Sequence, residues 1–117
     1  MKQREIHLAN LNPTVSNEQS GIRPVVVISG NTMNSKSGLC VICPLSSVVK
    51  NYPFCTLLSK NNSNLSKNNS NKLKQDSEVL SFQLRTISQK RLIKKIGEVE
   101  EEDLQSVLHN INDVFRF

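Results

Sequence analysis

The sequence predicts a mainly β protein: a small β-barrel or sandwich of about six short strands carrying one C-terminal helix. Three observations predict it. Short apolar runs, such as Val25 to Ile28 and Leu39 to Leu45, recur along the chain between breaks rich in Gly, Asn and Ser. The clearest helical period lies at the end, where Leu104, Val107, Leu108, Ile111, Val114 and Phe115 share one face of the segment Glu101 to Phe115. The length of 117 residues suits one domain and is too short for two, so residues 1–117 are expected to form a single domain.

The first strand, Glu5 to Leu11, carries Ile6, Leu8 and Leu11 and is closed by the turn signal Asn12-Pro13-Thr14. A polar loop from Ser16 to Gly21 leads to the second strand, Val25 to Ser29. Its unbroken run of β-branched residues is what a strand covered on both faces carries. Arg23 and Pro24 stand directly in front of that run, proline being tolerated at the first position of a strand. A permanent cation is thereby held at the mouth of a core strand. The segment GNTMNSKSG reads as a loop with room for one helical turn, and LCVICPL, Leu39 to Leu45, as a buried strand ended by Pro44.

After Tyr52 and Pro53 the run FCTLL makes a further strand, and then the pattern breaks. Leu58 to Asn64 and Leu65 to Asn71 both read LSKNNSN. One leucine per heptad cannot form a coiled-coil seam, and Asn is a poor helix former. The duplication is therefore expected to be a polar loop insertion at about 59–76. Ser77 to Ile87 reads as one strand on which Gln83 and Arg85 alternate. SQKRL follows as a tight turn or short helix, and KKIGEV as the last strand. Glu100 to Asp103 lie near the start of the terminal helix, where negative charge suits the helix dipole.

The net charge of +5 conceals an asymmetry. Met1 to Gly97 holds 14 basic and 4 acidic residues, whereas Glu98 to Phe117 holds 1 basic and 6 acidic. A basic body is compatible with nucleic acid or another polyanion. No apolar run reaches the length of a membrane span and the N-terminus lacks the apolar stretch of a signal peptide, so a cytoplasmic protein is expected.

Cys40, Cys43 and Cys55 sit among apolar residues, which fits reduced, buried thiols. Cys40-Val-Ile-Cys43 has the spacing of a zinc half-site. Residues three apart on a strand face opposite ways, however, and only Cys55, His7 and His109 remain as further ligands without motif spacing. The thiols are read as core and no metal is expected. The sequence has no nucleophile elbow, Cys–His signature, phosphate loop or dinucleotide fingerprint, which sets aside the common hydrolase and nucleotide-binding machinery. What remains is a set of polar groups at strand mouths: Glu18 and Gln19 before Arg23, Ser46 and Ser47 after Pro44, and the pair Gln83 and Arg85.

The string NPTVSNEQSGIRPVVVIS, followed in order by PLSS, KNYPF, DSEVLSFQLRTISQKRL and IGEVEEEDLQSVLHNI, resembles the MazF/PemK-like toxins of type II toxin–antitoxin pairs. The resemblance is collinear from Glu5 to about Val114. It implies a small SH3-like β-barrel with a C-terminal helix, usually a homodimer. It also implies metal-independent cleavage of single-stranded RNA, commonly mRNA, with no cofactor. The implied partner is a cognate acidic antitoxin, with which such toxins also contact DNA, and no membrane is involved. By the same resemblance Arg23 stands at the catalytic arginine, Ser46 at a catalytic threonine, and Glu18 at a loop acid that either accepts a proton or orients Arg23. Gln19, Ser47, Lys50, Gln83 and Arg85 fall at positions expected to bind RNA. Two other readings stay open. Related CcdB-type toxins share the barrel and poison DNA gyrase by contact through the helix end, here Phe115 to Phe117. A catalytically weakened homologue that binds RNA or antitoxin is the other. The joint presence of Arg23 and Ser46 points to the enzyme.

Overall fold

The computed structural model describes residues 1–15, 18–19, 21–58 and 76–116. In chain order the elements are β1 (Glu5–Asn10), β2 (Ile22–Val27), α1 (Asn31–Ser37), β3 (Leu39–Ser46), β4 (Thr56–Leu58), β5 (Ser77–Val79), β6 (Arg85–Ser88), β7 (Leu92–Glu98) and α2 (Glu101–Val114). Short 3₁₀ turns cover Ser81–Gln83 and Gln89–Arg91. The strands form one antiparallel sheet in the order β4-β5-β3-β2-β1-β7, with β6 also paired to β3. Its two end strands, β4 and β7, do not pair with each other among the described residues, so the expected barrel is an open one.

Apolar side chains fill both faces of the central strands, because neighbouring residues of a strand point to opposite sides. On one face Ile6, Val26, Cys43, Leu45, Leu58 and Val79 meet Leu104 and Val107 of α2. On the other, Ala9, Leu11, Val25, Val27, Cys40, Ile42 and Ile87 form a second cluster. The helix docks by a narrower stripe than its sequence predicts. Leu104, Val107 and Asn110 are buried, while Leu108 and Phe115 are exposed. Asn110 Nδ2 donates to Thr56 Oγ1 (2.8 Å), which lies 2.9 Å from Ser106 Oγ, tying α2 to β4 through a shielded polar link. At the other end of α2, Glu100 N donates to Asp103 Oδ2, which satisfies an amide at the helix start.

Four sequence expectations are corrected. Arg23 and Pro24 lie inside β2 rather than in front of it, with Arg23 paired to Ala9 of β1. Pro24 is tolerated there because the ladder to β3 begins only at Val25↔Pro44. Pro44 likewise does not end β3, which continues to Ser46. The strand expected from Phe54 is ordered as β only from Thr56.

The single strand expected over Ser77 to Ile87 is two strands with a 3₁₀ turn between them. β6 pairs with Leu39 to Ile42 and β5 with Leu45 and Ser46. Between them Leu80 N donates to Pro44 O, and Gln83 N closes back on Leu80 O. Gln83 therefore sits on a turn, not on a strand alternating with Arg85. The LSKNNSN duplication and the insertion at about 59–76 lie, apart from Leu58 and Asp76, outside the described residues.

Candidate functional site

The β2–β3 ladder pairs Val25 with Pro44, Val26 with Cys43 and Val27 with Ile42. Arg23 and Ser46 each lie two residues beyond the last pair of that ladder, Arg23 paired to Ala9 of β1 and Ser46 to Glu78 of β5. Strand alternation then assigns both to one face: Arg23 follows Val25 and Val27, and Ser46 follows Cys40 and Ile42, all of the second cluster. Arg85, two residues before Ile87 on β6, falls on that face as well. Three residues far apart in sequence are thus delivered to one side of the sheet by strand alternation alone.

Loop contacts shape the space around them. Gly21 has a φ of 77°, a left-handed turn that glycine adopts without strain, and its N–H donates to Asn12 Oδ1. Leu11 N donates to Gly21 O, and Arg85 Nη1 donates to Leu11 O at 3.2 Å, so Arg85 braces the end of β1. Glu18 is exposed and its Oε1 accepts from Val15 N at 2.9 Å. Gln19 N donates to Gln83 Oε1 at 2.8 Å, joining the loop before β2 to the turn after β5. The Gln19 side-chain oxygen is buried and has no hydrogen-bond partner among the described residues.

Two adjoining cavities result. One, of about 340 Å³, is lined by Pro13, Glu18, Gln19, Pro44, Gln83 and Arg85, among others. The second, of about 520 Å³, includes Gln19, Ser46, Lys50, Glu78 and Gln83. Gln19, Phe82 and Gln83 line both, so the two are one groove with a waist at those residues. Of the residues expected from sequence, the groove gathers Glu18, Gln19, Ser46, Lys50, Gln83 and Arg85. Arg23 and Ser47 are not among its described lining residues. Arg23 lies on β2, paired to Ala9 of β1, and Ser47 is exposed at the end of β3.

Ser46 is buried, and its Oγ accepts from Val48 N at 3.1 Å. Glu78 is the partner of Ser46 in the β3–β5 ladder, and its Oε1 accepts from Lys50 N at 3.3 Å. Sequence reasoning missed Glu78. Its only signal was a carboxylate within a short apolar strand, which reads as solvent-facing until the pairing is known. Also missed was an aromatic cluster on the rim: Tyr52 and Phe54 are stacked at 5.0 Å, and Phe82 stands edge-on to both.

Cys40 and Cys43 are core residues as expected, whereas Cys55 is only half-buried and lies outside both apolar clusters. Cys40 belongs to one apolar cluster and Cys43 to the other, so the CxxC pair is split between the two faces. Burial, with the neighbouring Cys55, pushes the Cys43 thiol up to about 12. Burial, with the nearby Glu78 carboxylate, pushes Cys55 up to about 11. Among the described residues no group of three or more His, Cys, Asp or Glu is placed to hold a metal ion. Nor is any described helix long and apolar enough to cross a membrane.

Known proteins with the same pattern give this groove a context. A family model described as PemK-like, MazF-like toxin of type II toxin-antitoxin system matches residues 2–115. The chain is 33% identical over 104 residues to the endoribonuclease toxin MazF of Escherichia coli, covering 88% of this chain and 83% of that protein. The crystal structure of MazF from Deinococcus radiodurans matches with a TM-score of 0.81 at 24% identity, covering 100% of this chain and 97% of that one. A MazE–MazF crystal structure from the same organism matches with a TM-score of 0.76 at 23% identity, covering 100% and 96%. With the match spanning nearly its whole length, the chain belongs to the PemK-like, MazF-like toxins of type II toxin–antitoxin systems.

Proposed function

We propose that this chain is a metal-independent endoribonuclease that cuts single-stranded RNA, chiefly mRNA, in the cytoplasm. The observation that supports the reading is that strand alternation leaves Arg23, Ser46 and Arg85 on one side of the sheet, with Ser46 and Arg85 lining cavities rich in hydrogen-bonding groups. The curated Escherichia coli relative is named an endoribonuclease toxin, which favours this reading over gyrase binding.

RNA brings its own nucleophile. The 2′-hydroxyl attacks the neighbouring phosphorus, a 2′-O–P bond forms, and the P–O5′ bond breaks. The products are a 2′,3′-cyclic phosphate and a 5′-hydroxyl. One proton leaves the 2′-hydroxyl and one reaches the departing 5′-oxygen. The protein must therefore align the hydroxyl and stabilise the charge that builds on the phosphorane oxygens. Arg23 offers a planar fork of donors that stays charged at any working pH. Ser46 Oγ donates to a phosphoryl oxygen, and fixed donors of this kind are worth roughly 3 kcal/mol each in the transition state. Glu18 holds the loop through Val15 N, which favours an orienting role over that of proton acceptor. Gln19, Ser47, Lys50, Gln83 and Arg85 hold the RNA strand.

A homodimer and a cognate acidic antitoxin complete the proposal. The antitoxin reading is supported by the Deinococcus radiodurans MazE–MazF complex and by the basic character of residues 1–97.

The test is incubation of the purified protein with a long single-stranded RNA in excess EDTA, followed by mapping of fragment ends. Discrete cuts with 5′-hydroxyl ends, absent with Arg23→Ala, are expected. RNA that stays intact at high enzyme excess would overturn the reading.

A further inference from the structure

The rim of the groove carries an aromatic surface that the cleavage chemistry does not use. Tyr52 and Phe82 are 39% and 40% exposed, although both are large apolar side chains in contact with other rings. Phe54 is half-buried beneath them, parallel to Tyr52 within 19° and perpendicular to Phe82 at 89°. The three rings brace one another, Tyr52 stacked on Phe54 and Phe82 edge-on to both, while Tyr52 and Phe82 stay partly exposed. All three line the cavity that contains Ser46 and Lys50. At the waist of the groove lies the buried side-chain oxygen of Gln19, unpartnered among the described residues.

We propose that Tyr52 and Phe82 form a stacking seat for one unpaired nucleobase of the RNA, with the Gln19 oxygen accepting a hydrogen bond from that base. The inference rests on the RNA-cleaving reading above and extends it to which part of the substrate is gripped. Single-stranded RNA is held mainly by stacking splayed bases on aromatic rings and by bonding their edges. A buried acceptor without a donor is costly to maintain unless a ligand supplies the donor. Every base offers a π-face, and each offers an N–H group that such an oxygen can meet. The surrounding Ser46, Lys50 and Gln83 fit a polar, hydrogen-bonding occupant better than the apolar side chains of a protein partner.

The seat is tested without relying on cleavage. Transcripts carrying 5-iodouridine and 5-iodocytidine are bound to the Arg23→Gln protein, irradiated, and the cross-linked peptides identified by mass spectrometry. Cross-links to Tyr52 or Phe82 are expected. Tyr52→Ser and Phe82→Ser should each weaken binding of the same RNA by roughly 5- to 100-fold, with Tyr52→Phe close to the parent. Cross-links confined to other residues, or serine variants that bind as tightly as the parent, would overturn the seat. So would loss of the dimer in sedimentation by the serine variants with RNA binding unchanged, which would assign the rings to contact with a second copy. If the chain binds and cross-links as expected yet cleaves no RNA, the seat stands and the nuclease reading falls.

Discussion

Ser46 and Glu78 are direct partners across the β3–β5 ladder, and both are almost completely withdrawn from solvent, at 7% and 2% exposure. The two side chains have different clients: Ser46 Oγ accepts from Val48 N, and Glu78 Oε1 accepts from Lys50 N. Together they fix the chain that leaves β3 along the groove. Glu78→Ala removes a charged acceptor from the Lys50 amide in a part-buried hydrogen bond, a loss of about 1.5 kcal/mol in local order. The expected result is a higher KM for RNA with kcat changed less, whereas Glu78→Gln, which keeps an acceptor oxygen, stays near the parent. Steady-state cleavage of a defined RNA measures the split.

Ser46 has a second role if its hydroxyl meets the phosphate. Ser46→Ala should lower kcat by roughly a hundredfold. Its thermal stability should fall only modestly, since one hydrogen bond to Val48 N is lost. Ser46→Thr keeps the hydroxyl and restricts its rotamer, so it should raise activity by up to about tenfold. Single-turnover cleavage alongside a melting curve separates the two effects.

The carboxyl of Glu5 links acid stability to a defined cluster. Burial alone would raise it, but hydrogen bonds from His7, Lys2 N and Lys95 hold it down from 4.5 to about 2. A carboxyl that protonates later in the folded state stabilises the fold above its unfolded pKa. That contribution, on the order of 2 kcal/mol, is present above about pH 4.5 and lost as the pH falls toward about 2. Urea melts at stepped pH should show the loss in that window, and Glu5→Gln should remove much of the slope.

Cys43 and Cys55 are raised to about 12 and about 11, so both remain neutral thiols at neutral pH. Alkylation of Cys55 by iodoacetamide near pH 8 should run on the order of a hundredfold slower in the native protein than in the unfolded chain. The rate should climb only as the pH nears about 11. Quenched time courses read by intact mass check this.

Thr56 is the hinge of the polar link between β4 and α2. Thr56→Val keeps the shape and strands the buried Asn110 amide. The expected cost is about 1–3 kcal/mol, read as a lower denaturant midpoint with an unchanged slope.

Much of this was legible in the chain. The Val25 to Ile28 run announced a strand covered on both faces, and the period from Leu104 to Val114 announced the helix that closes one of them. Arg23 and Ser46 were singled out by residue type and place. The ladders that hold the two strands side by side are a property of both strands at once and have no signature in either alone. The same blindness explains Glu78, whose neighbours Ser77 and Val79 give no hint that Ser46 lies opposite. It also explains Ser77 to Ile87, where alternation suggested one strand. The hydrogen bond of Leu80 N to Pro44 O and the 3₁₀ turn that follows it divide that segment in two.

The pairing of Leu58 with Ser77 has a consequence for how this protein can change. Eighteen residues lie between them in the chain, seven of which are the second copy of LSKNNSN. For a flexible connection with tethered ends, chain entropy grows only with the logarithm of length. Lengthening it from eleven to eighteen residues then costs about 0.4 kcal/mol, less than one ordinary hydrogen bond. Leu58↔Ser77 is the end of the β4–β5 ladder, and Glu78, the next residue of β5, pairs with Ser46 across the strand's other edge. A gene that duplicates or drops a heptad between Leu58 and Ser77 can thus change the length of this connection at small cost to the ladders on either side of β5.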